Sequence, residues 1–300
     1  MQSFIQHLLN GASLGSIYAL VALGYTMVYG ILQFINFAHS EVYMMGAFVA
    51  YFAARLMGYV DSPGIDALIL CLMAAMAGCA VIGLTIERFA YRPLRNAPRV
   101  NVLITAIGIS LFLQYSGQVV FGADPKVFPN LIQDRALFEF NGVEFRSMDL
   151  TIFLVTLFIL LSLQYLIFKT KTGSAIRAVS QNPLVARLMG INVERTISLT
   201  FAIGSSLAGV GSVLVGLKYP KIEPLMGTMI GLKAFVAAVL GGIGSLPGAV
   251  LGGFVMGLSE EMVVAYLSST YRDALAFGIL IIVLIVKPSG LLGVQRVEKV

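Results

Sequence analysis

LLNGASLGSIYALVALGYTMVYGI, Leu8 to Ile31, contains no charged side chain. As a helix rising about 1.5 Å per residue it is long enough to cross the roughly 30 Å apolar core of a bilayer. The residues before it, MQSFIQH, lack the basic start of a secretory leader, so the run reads as a retained span. The rest of the chain repeats the pattern. Of 300 residues, 58% are hydrophobic and 12% charged, and mean hydropathy is +0.89. A soluble domain carries about 25% charge, and no water-soluble core of this size could hide so much apolar surface.

Outward from this run, further apolar passes fall at about 36–56, 65–86, 101–121, 150–168, 197–217 and 272–287. The Gly-rich region 229–262 is too long for one simple span and short for two. It reads as two short helices hinged near GGIGSLPG, Gly241 to Gly248. The fold class is therefore an all-α polytopic membrane protein with eight or nine passes, a single domain over 1–300.

Charge orients it. Arg88, Arg92, Arg95 and Arg99 lie in one connection, Lys169, Lys171, Arg177, Arg187 and Arg195 in another (169–196), and Lys287, Arg296 and Lys299 at the end. The loop 122–149 instead carries Asp124, Asp134, Glu139, Glu144 and Asp149 against three cations. Basic connections stay in the cytoplasm. Loop 169–196 and the C-terminus are expected inside, loop 122–149 outside, and, by counting back, the N-terminus outside.

Several classes fall away. The basic patches lack interleaved aromatics and are split along the chain, which disfavours nucleic-acid binding. There is no G-x-x-x-x-G-K-[ST] phosphate loop and no H-E-x-x-H, and the histidines are His7 and His39 alone. No nucleophile–base pairing suggests itself, so no catalytic and no metal residues are assigned. Cys71 and Cys79 read as packing residues.

Three features remain. The first is SQNPLVARLMGINVER, Ser180 to Arg195, a short polar-bounded helix between greasy segments. Asn182 is a good N-cap, Pro183 suits the first helical position and Gly190 is a natural stop. Leu184 and Leu188 stack on one face, as do Val185 and Met189. A helix this short needs support from its own protein or a partner. Its apolar tip, Ala186 among its contact residues and Arg177 and Arg187 flanking it, suits a groove on a cytoplasmic protein; the alternative is a helix lying on lipid. The second feature is INFAHSEVYMMGAF, Ile35 to Phe48, where Asn36, His39, Ser40 and Glu41 fall at the start of a span. Either a broken helix begins near Asn36 and aims its amides at a cavity, or Asn36 caps an interfacial helix and Glu41 is solvated. Lys233 is expected to snorkel to the outer surface. The third feature is small residues every fourth position: Gly241, Ser245, Ala249, Gly253 and Gly257; Gly244, Gly248 and Gly252; Ala208, Ser212 and Gly216. They allow close helix packing, and Pro247 supports a break that could line a pathway.

IRAVSQNPLVARLMGINVERT resembles the cytoplasmic coupling loop of ABC-importer permeases for branched-chain amino acids. NGASLGSIYALVALGYTMVYGILQFINFAHSEVYMMGAF resembles that family's N-terminal signature, and GLKAFVAAVLGGIGSLPGAVLGG with IIVLIVKPSGLLG its C-terminal half, in order and over nearly the whole chain. The resemblance implies a type II importer fold in the bacterial inner membrane and a heterodimer with a second, related permease. It also implies two cytoplasmic ATPases that use ATP, so that this chain needs no cofactor of its own, and a periplasmic binding protein delivering leucine, isoleucine or valine. Within it, Asn182 to Gly190 would contact the ATPase. For the pathway we select Asn36, His39, Ser40, Glu41, Gly241, Gly242, Gly244 and Pro247. Urea and short-amide permeases share similar loops and remain an alternative, as does a stand-alone secondary transporter or channel.

Overall fold

The computed structural model describes residues 2–293 apart from 61, 96 and 141; the tail cations Arg296 and Lys299 therefore lie outside the described residues. The helices are α1 (Gln2–Leu32), α2 (His39–Leu56), α3 (Ile65–Ile86), α4 (Arg99–Phe121), α5 (Ser147–Lys169), α6 (Lys171–Gln181), α7 (Pro183–Leu188), α8 (Val193–Lys218), α9 (Met226–Gly241), α10 (Leu246–Tyr266) and α11 (Arg272–Val286). Among the described residues seven helices are long and apolar enough to cross a membrane, with α9 a shorter apolar helix. The chain is a multi-pass helical membrane protein. The helical fold class holds, with two small sheets added on the acidic side: β1 (Lys126–Val127) pairs with β4 (Lys221–Ile222), and β2 (Ala136–Phe140) pairs with β3 (Val143–Arg146).

The apolar window of α1 is 89% buried and that of α11 only 6%. A helix apolar all round and buried is a central one, and α1 packs along α10, α8 and α9. α2 lies against α3, α8 and α9, while α4, α5 and α11 turn broad apolar faces outward. Lipid tails are as apolar as leucine, so close packing must hold the centre together. The glycine rows divide this labour once α10 begins. Gly253 and Gly257 face α1, and Gly248 and Gly252 face α9. A Cβ at Gly253 would fall 2.5 Å from the Ala19 amide nitrogen. Gly253→Val should therefore force α1 and α10 apart and destabilise the protein by about 1–3 kcal/mol, the usual cost of overpacking. Gly278→Ala on α11 has open space and should be neutral or stabilising by about 0.5–1 kcal/mol. Melting of the detergent-purified chain distinguishes the two, and equal melting points would disprove the packing assignment.

The α9–α10 break is where the glycines predict it. Gly242 and Gly244 adopt φ of +105° and +95°, conformations that only glycine takes without strain. Ser245 then caps α10 by accepting from the Gly248 amide at 3.2 Å, with Pro247 in the first turn. The carbonyls at the end of α9 are also satisfied: Leu291 N donates to Leu240 O (2.8 Å) and Leu292 N to Gly241 O (2.9 Å).

Candidate coupling surface and membrane cavity

The short helix of the second basic connection is built by its caps. Asn182, extended at φ −156° and ψ 105°, accepts from the amides of Leu184 (3.0 Å) and Val185 (3.1 Å) through Oδ1. Gly190 turns left-handed at φ +80°, and Gly190 N and Ile191 N donate back to Arg187 O and Ala186 O at 3.0 Å. Asn192 then caps α8 through the Arg195 amide (3.0 Å). Helix α7 ends at Leu188, with Met189 as its C-cap. Leu184, Leu188 and Met189 are 69%, 79% and 77% exposed, and Arg187 is exposed beside them.

Two expectations about this surface are corrected. Ala186 is 3% exposed and packs inward, so it supports α7 from behind and is not part of its exposed tip. Arg177 does not flank the tip. Its guanidinium turns to the end of α5, donating to Ile167 O and to Ser174 Oγ (3.3 Å) and lying over the Phe168 ring at 5.5 Å. The cause is local: helix α6, absent from the sequence reading, begins at Thr170, which caps it by accepting from Gly173 N at 3.1 Å. The helical turn then carries Arg177 back to the unsatisfied carbonyls of α5.

Behind α7, four residues past Gly190, an ionic cluster ties the base of α8 to the turns that extend α3. Glu194 accepts from Arg92 (3.0 Å) and pairs with Arg95, Arg95 also pairs with Glu87, and Ser198 donates to Glu87 at 2.8 Å. The Glu87 side chain is 2% exposed. Counting charges along the chain locates these arginines on one side; it does not reveal the pairing.

The second expected feature is a break inside the membrane. α1 stops at Leu32, Gln33 turns at φ +54°, and α2 starts only at His39. Asn36 is not the cap: Ala38 is, with no side-chain bond, and Asn36 Oδ1 accepts from the Tyr91 hydroxyl at 2.6 Å. His39 packs on Gly24 and edge-on to the Tyr25 ring at 4.6 Å. Gly24 lies eight residues before the end of α1, about 12 Å along it, so α2 begins well within the bundle. Glu41 is 1% exposed. That burial removes the solvated reading of Glu41. Ser40 donates to Phe37 O at 2.8 Å.

A cavity of about 760 Å³ opens at the end of the bundle that carries the basic connections, lined by Tyr29, Gln33, Arg177, Phe235, Gly244 and Pro247 among others. Above it Tyr25, Tyr29, Ile35 and Phe235 close round a void of about 10 Å³. Of the selected pathway residues Gly244 and Pro247 line the cavity. Gly241 and Gly242 do not: Gly241 abuts the backbone of Gly248, and Gly242 that of Gly293. None of Asn36, His39, Ser40 and Glu41 lines it. Asn36 is held by Tyr91 and His39 by the Tyr25 ring instead, which sequence spacing cannot show.

Lys233 does not snorkel. It is buried at 7% and paired with Glu260 (3.0 Å) and Asp273 (2.7 Å); Arg272 and Tyr18 also bind Glu260, at 3.1 and 2.7 Å. A compact ammonium among carboxylates from α10 and α11 has no reason to reach for water.

The family described as branched-chain amino acid transport system, permease component, matches residues 7–284. The high-affinity branched-chain amino acid transport system permease protein BraD of Pseudomonas aeruginosa is 44% identical over 99% of this chain and 98% of its own length. LivH of Escherichia coli, of the same description, is 45% identical over the same shares. A probable branched-chain amino acid transport permease protein LivH of Methanocaldococcus jannaschii is 33% identical over 96% of this chain and 92% of its own.

Proposed function

The chain belongs to the branched-chain amino acid permease family, as a permease subunit of an ATP-driven importer, and from that premise we propose how this one works. It pairs with a second, related permease in a type II importer architecture in the bacterial inner membrane. Two ATPases bind on the side of the basic connections, and a periplasmic binding protein delivers leucine, isoleucine or valine to the other. Residues 1–300 form one permease domain, with the loop 169–196 and the C-terminus cytoplasmic and the loop 122–149 outward. The power stroke comes from outside the chain, whose sequence holds no phosphate loop.

One observation carries this reading: α7 presents Leu184, Leu188 and Met189 to its surroundings while both its ends are capped and Ala186 is locked behind. Such a helix is rigid enough to be pushed and apolar enough to seat in a groove. Closure of the ATPases moves α7, the Glu87–Arg95–Glu194 cluster passes the movement to α3 and α8, and the packed bundle shifts between two arrangements. The cavity containing Gly244 and Pro247 is the cytoplasmic mouth, and Tyr25 and Phe235 close it. Relatives named for branched-chain amino acids over their full length favour that substrate over urea or short amides.

Reconstitution tests it. Vesicles containing this chain, its second permease, the ATPases and the binding protein should accumulate leucine only with ATP, and urea not at all. Leucine uptake by this chain alone on an ion gradient would replace the proposal with a secondary transporter.

A further inference from the structure

Glu41 has no counter-charge: among the described residues no lysine or arginine pairs with it. A carboxylate inside the apolar layer is costly by a few kcal/mol and ordinarily marks a ligand or ion path. The fold has built a polar shell around one side of it. Oε1 lies 3.4 Å from Ser40 Oγ and 3.5 Å from Thr228 Oγ1, and Ser110 of α4 is a near neighbour of the carboxylate. Gln114 Nε2 donates to Thr228 at 3.1 Å, which leaves the Gln114 carbonyl oxygen as an acceptor. Oε2 is buried without a hydrogen-bond partner. It faces the bare Cα of Gly227, where a Cβ would come within 2.9 Å of it.

The shell is not closed. Ser110, Gln114 and Thr228 are only half-buried, so it reaches the lateral surface of the subunit between α4 and α9. Ser110 and Gln114 are one turn apart on a helix otherwise turned to apolar surroundings. A pure lipid contact would not carry this stripe. The Ser40 and Thr228 hydroxyls donate to this one negative charge and keep lone pairs of their own, and the Gln114 carbonyl oxygen is an acceptor; an uncompensated carboxylate with acceptor lone pairs beside it matches a primary ammonium, one positive charge and three donors.

We propose that Glu41, with Gln114 and Thr228, forms a subsite that binds the α-ammonium of the amino-acid substrate at the face where α2, α4 and α9 meet. The inference rests on the permease reading above and adds the group that recognises the substrate's positive end. It also makes α9 a shared wall: Gly227 and Thr228 face the subsite, and Phe235 closes the cavity two turns further on.

The test uses the complete importer in lipid vesicles. Thr228→Cys is labelled from outside with a cationic and an anionic methanethiosulfonate, over the background of buried Cys71 and Cys79. The cationic reagent should react about tenfold faster, as a nearby uncompensated carboxylate dictates, and Glu41→Gln should bring the ratio close to one. In the Thr228 parent, Glu41→Gln should cut leucine uptake at least about tenfold, with the importer still assembled and uptake partly rescued by Glu41→Asp. Equal rates for the two reagents, no labelling by either, or a ratio unmoved by Glu41→Gln overturns the subsite. So does dissociation of the second permease in Glu41→Gln, which would assign the carboxylate to a cation of that partner. Leucine uptake by the unmodified importer is measured in the same vesicles. Its absence alongside charge-selective labelling would sink the transport reading and leave the cation-binding site standing.

Discussion

Leu188→Asp is expected to reduce leucine uptake at least about a hundredfold while the protein is made, inserted and assembled with its second permease as before. The side chain is 79% exposed, and a substitution at such a position changes folding stability by no more than about 0.5 kcal/mol. In a docked complex the same side chain is desolvated. Seating one leucine is worth about 1.5–3 kcal/mol, and an aspartate in its place brings an unpaired charge into an apolar groove. A loss of about 2.8 kcal/mol is a hundredfold in affinity. Arg187→Asp, at the rim of the same tip, should cost less, roughly five- to tenfold, and its effect should fade at high salt. Uptake and ATP hydrolysis are measured together: the expected signature is hydrolysis no longer stimulated by loaded binding protein. Normal uptake in Leu188→Asp would remove α7 from the transport cycle. Ala186→Asp makes the contrast. Ala186 is buried, so its replacement should unseat α7 and lower melting before any question of docking arises.

The elements that were legible in the sequence share a physical property: their signal is local. The uncharged run from Leu8 to Ile31, the Asn182–Pro183 start and Gly190 stop of α7, and the hinge at Gly242 and Gly244 each depend on residues within one or two turns. Helix α1 runs further than its uncharged stretch, because the polar Gln2, Ser3, Gln6 and His7 look like a terminus and nevertheless continue the helix. The β2–β3 hairpin also has a local signal, since FEFNGVEF carries the Asn-Gly turn between alternating apolar residues, with Gly142 at φ +73°. Helix α6 leaves little trace in the sequence because its buried apolar residues Ile176 and Val179 are few, and its start is the Thr170 cap.

What stayed hidden is non-local. Lys233 finds Glu260 and Asp273 across two helix connections, and nothing within a turn of Lys233 announces them. Asparagine is a good cap, so the sequence points to a start of α2 at Asn36, yet a hydrogen bond from Tyr91, 55 positions away, occupies that side chain. The cavity is made by the ends of α1, α5, α9 and α11 together, so no single stretch encodes it. Of the eight pathway candidates, Gly244 and Pro247 fall on its wall through hinge chemistry that was readable. Gly241 and Gly242 fall elsewhere because glycine serves close backbone approach as readily as it serves a break.

Arg95→Met is the second large effect, and it separates the cluster's structural role from its mechanical one. Arg95 joins Glu87 to Glu194. Removing it leaves the Glu87 carboxylate, 2% exposed, with the Ser198 hydroxyl alone. Breaking a buried pair from one side costs about 3–5 kcal/mol, because the remaining charge is uncompensated; melting should fall by roughly 5–10 °C. Adding Glu87→Gln removes that charge, so the double variant should recover most of the loss, a coupling between the two sites that independent residues would not show. Additive losses would mean the pair is not the stabilising unit. The recovered double variant then reports on transmission, since its fold is intact but Glu194 holds the α3 turns through Arg92 alone. Glu194 sits four residues beyond the Gly190 stop of α7, so a push on α7 arrives there first. If the cluster makes the base of α8 and the end of α3 one body, the stable double variant should hydrolyse ATP and import leucine at least about tenfold more slowly per ATP. Unchanged coupling in that variant would confine the cluster to stability and leave helix packing between α3 and α8 as the carrier of the stroke.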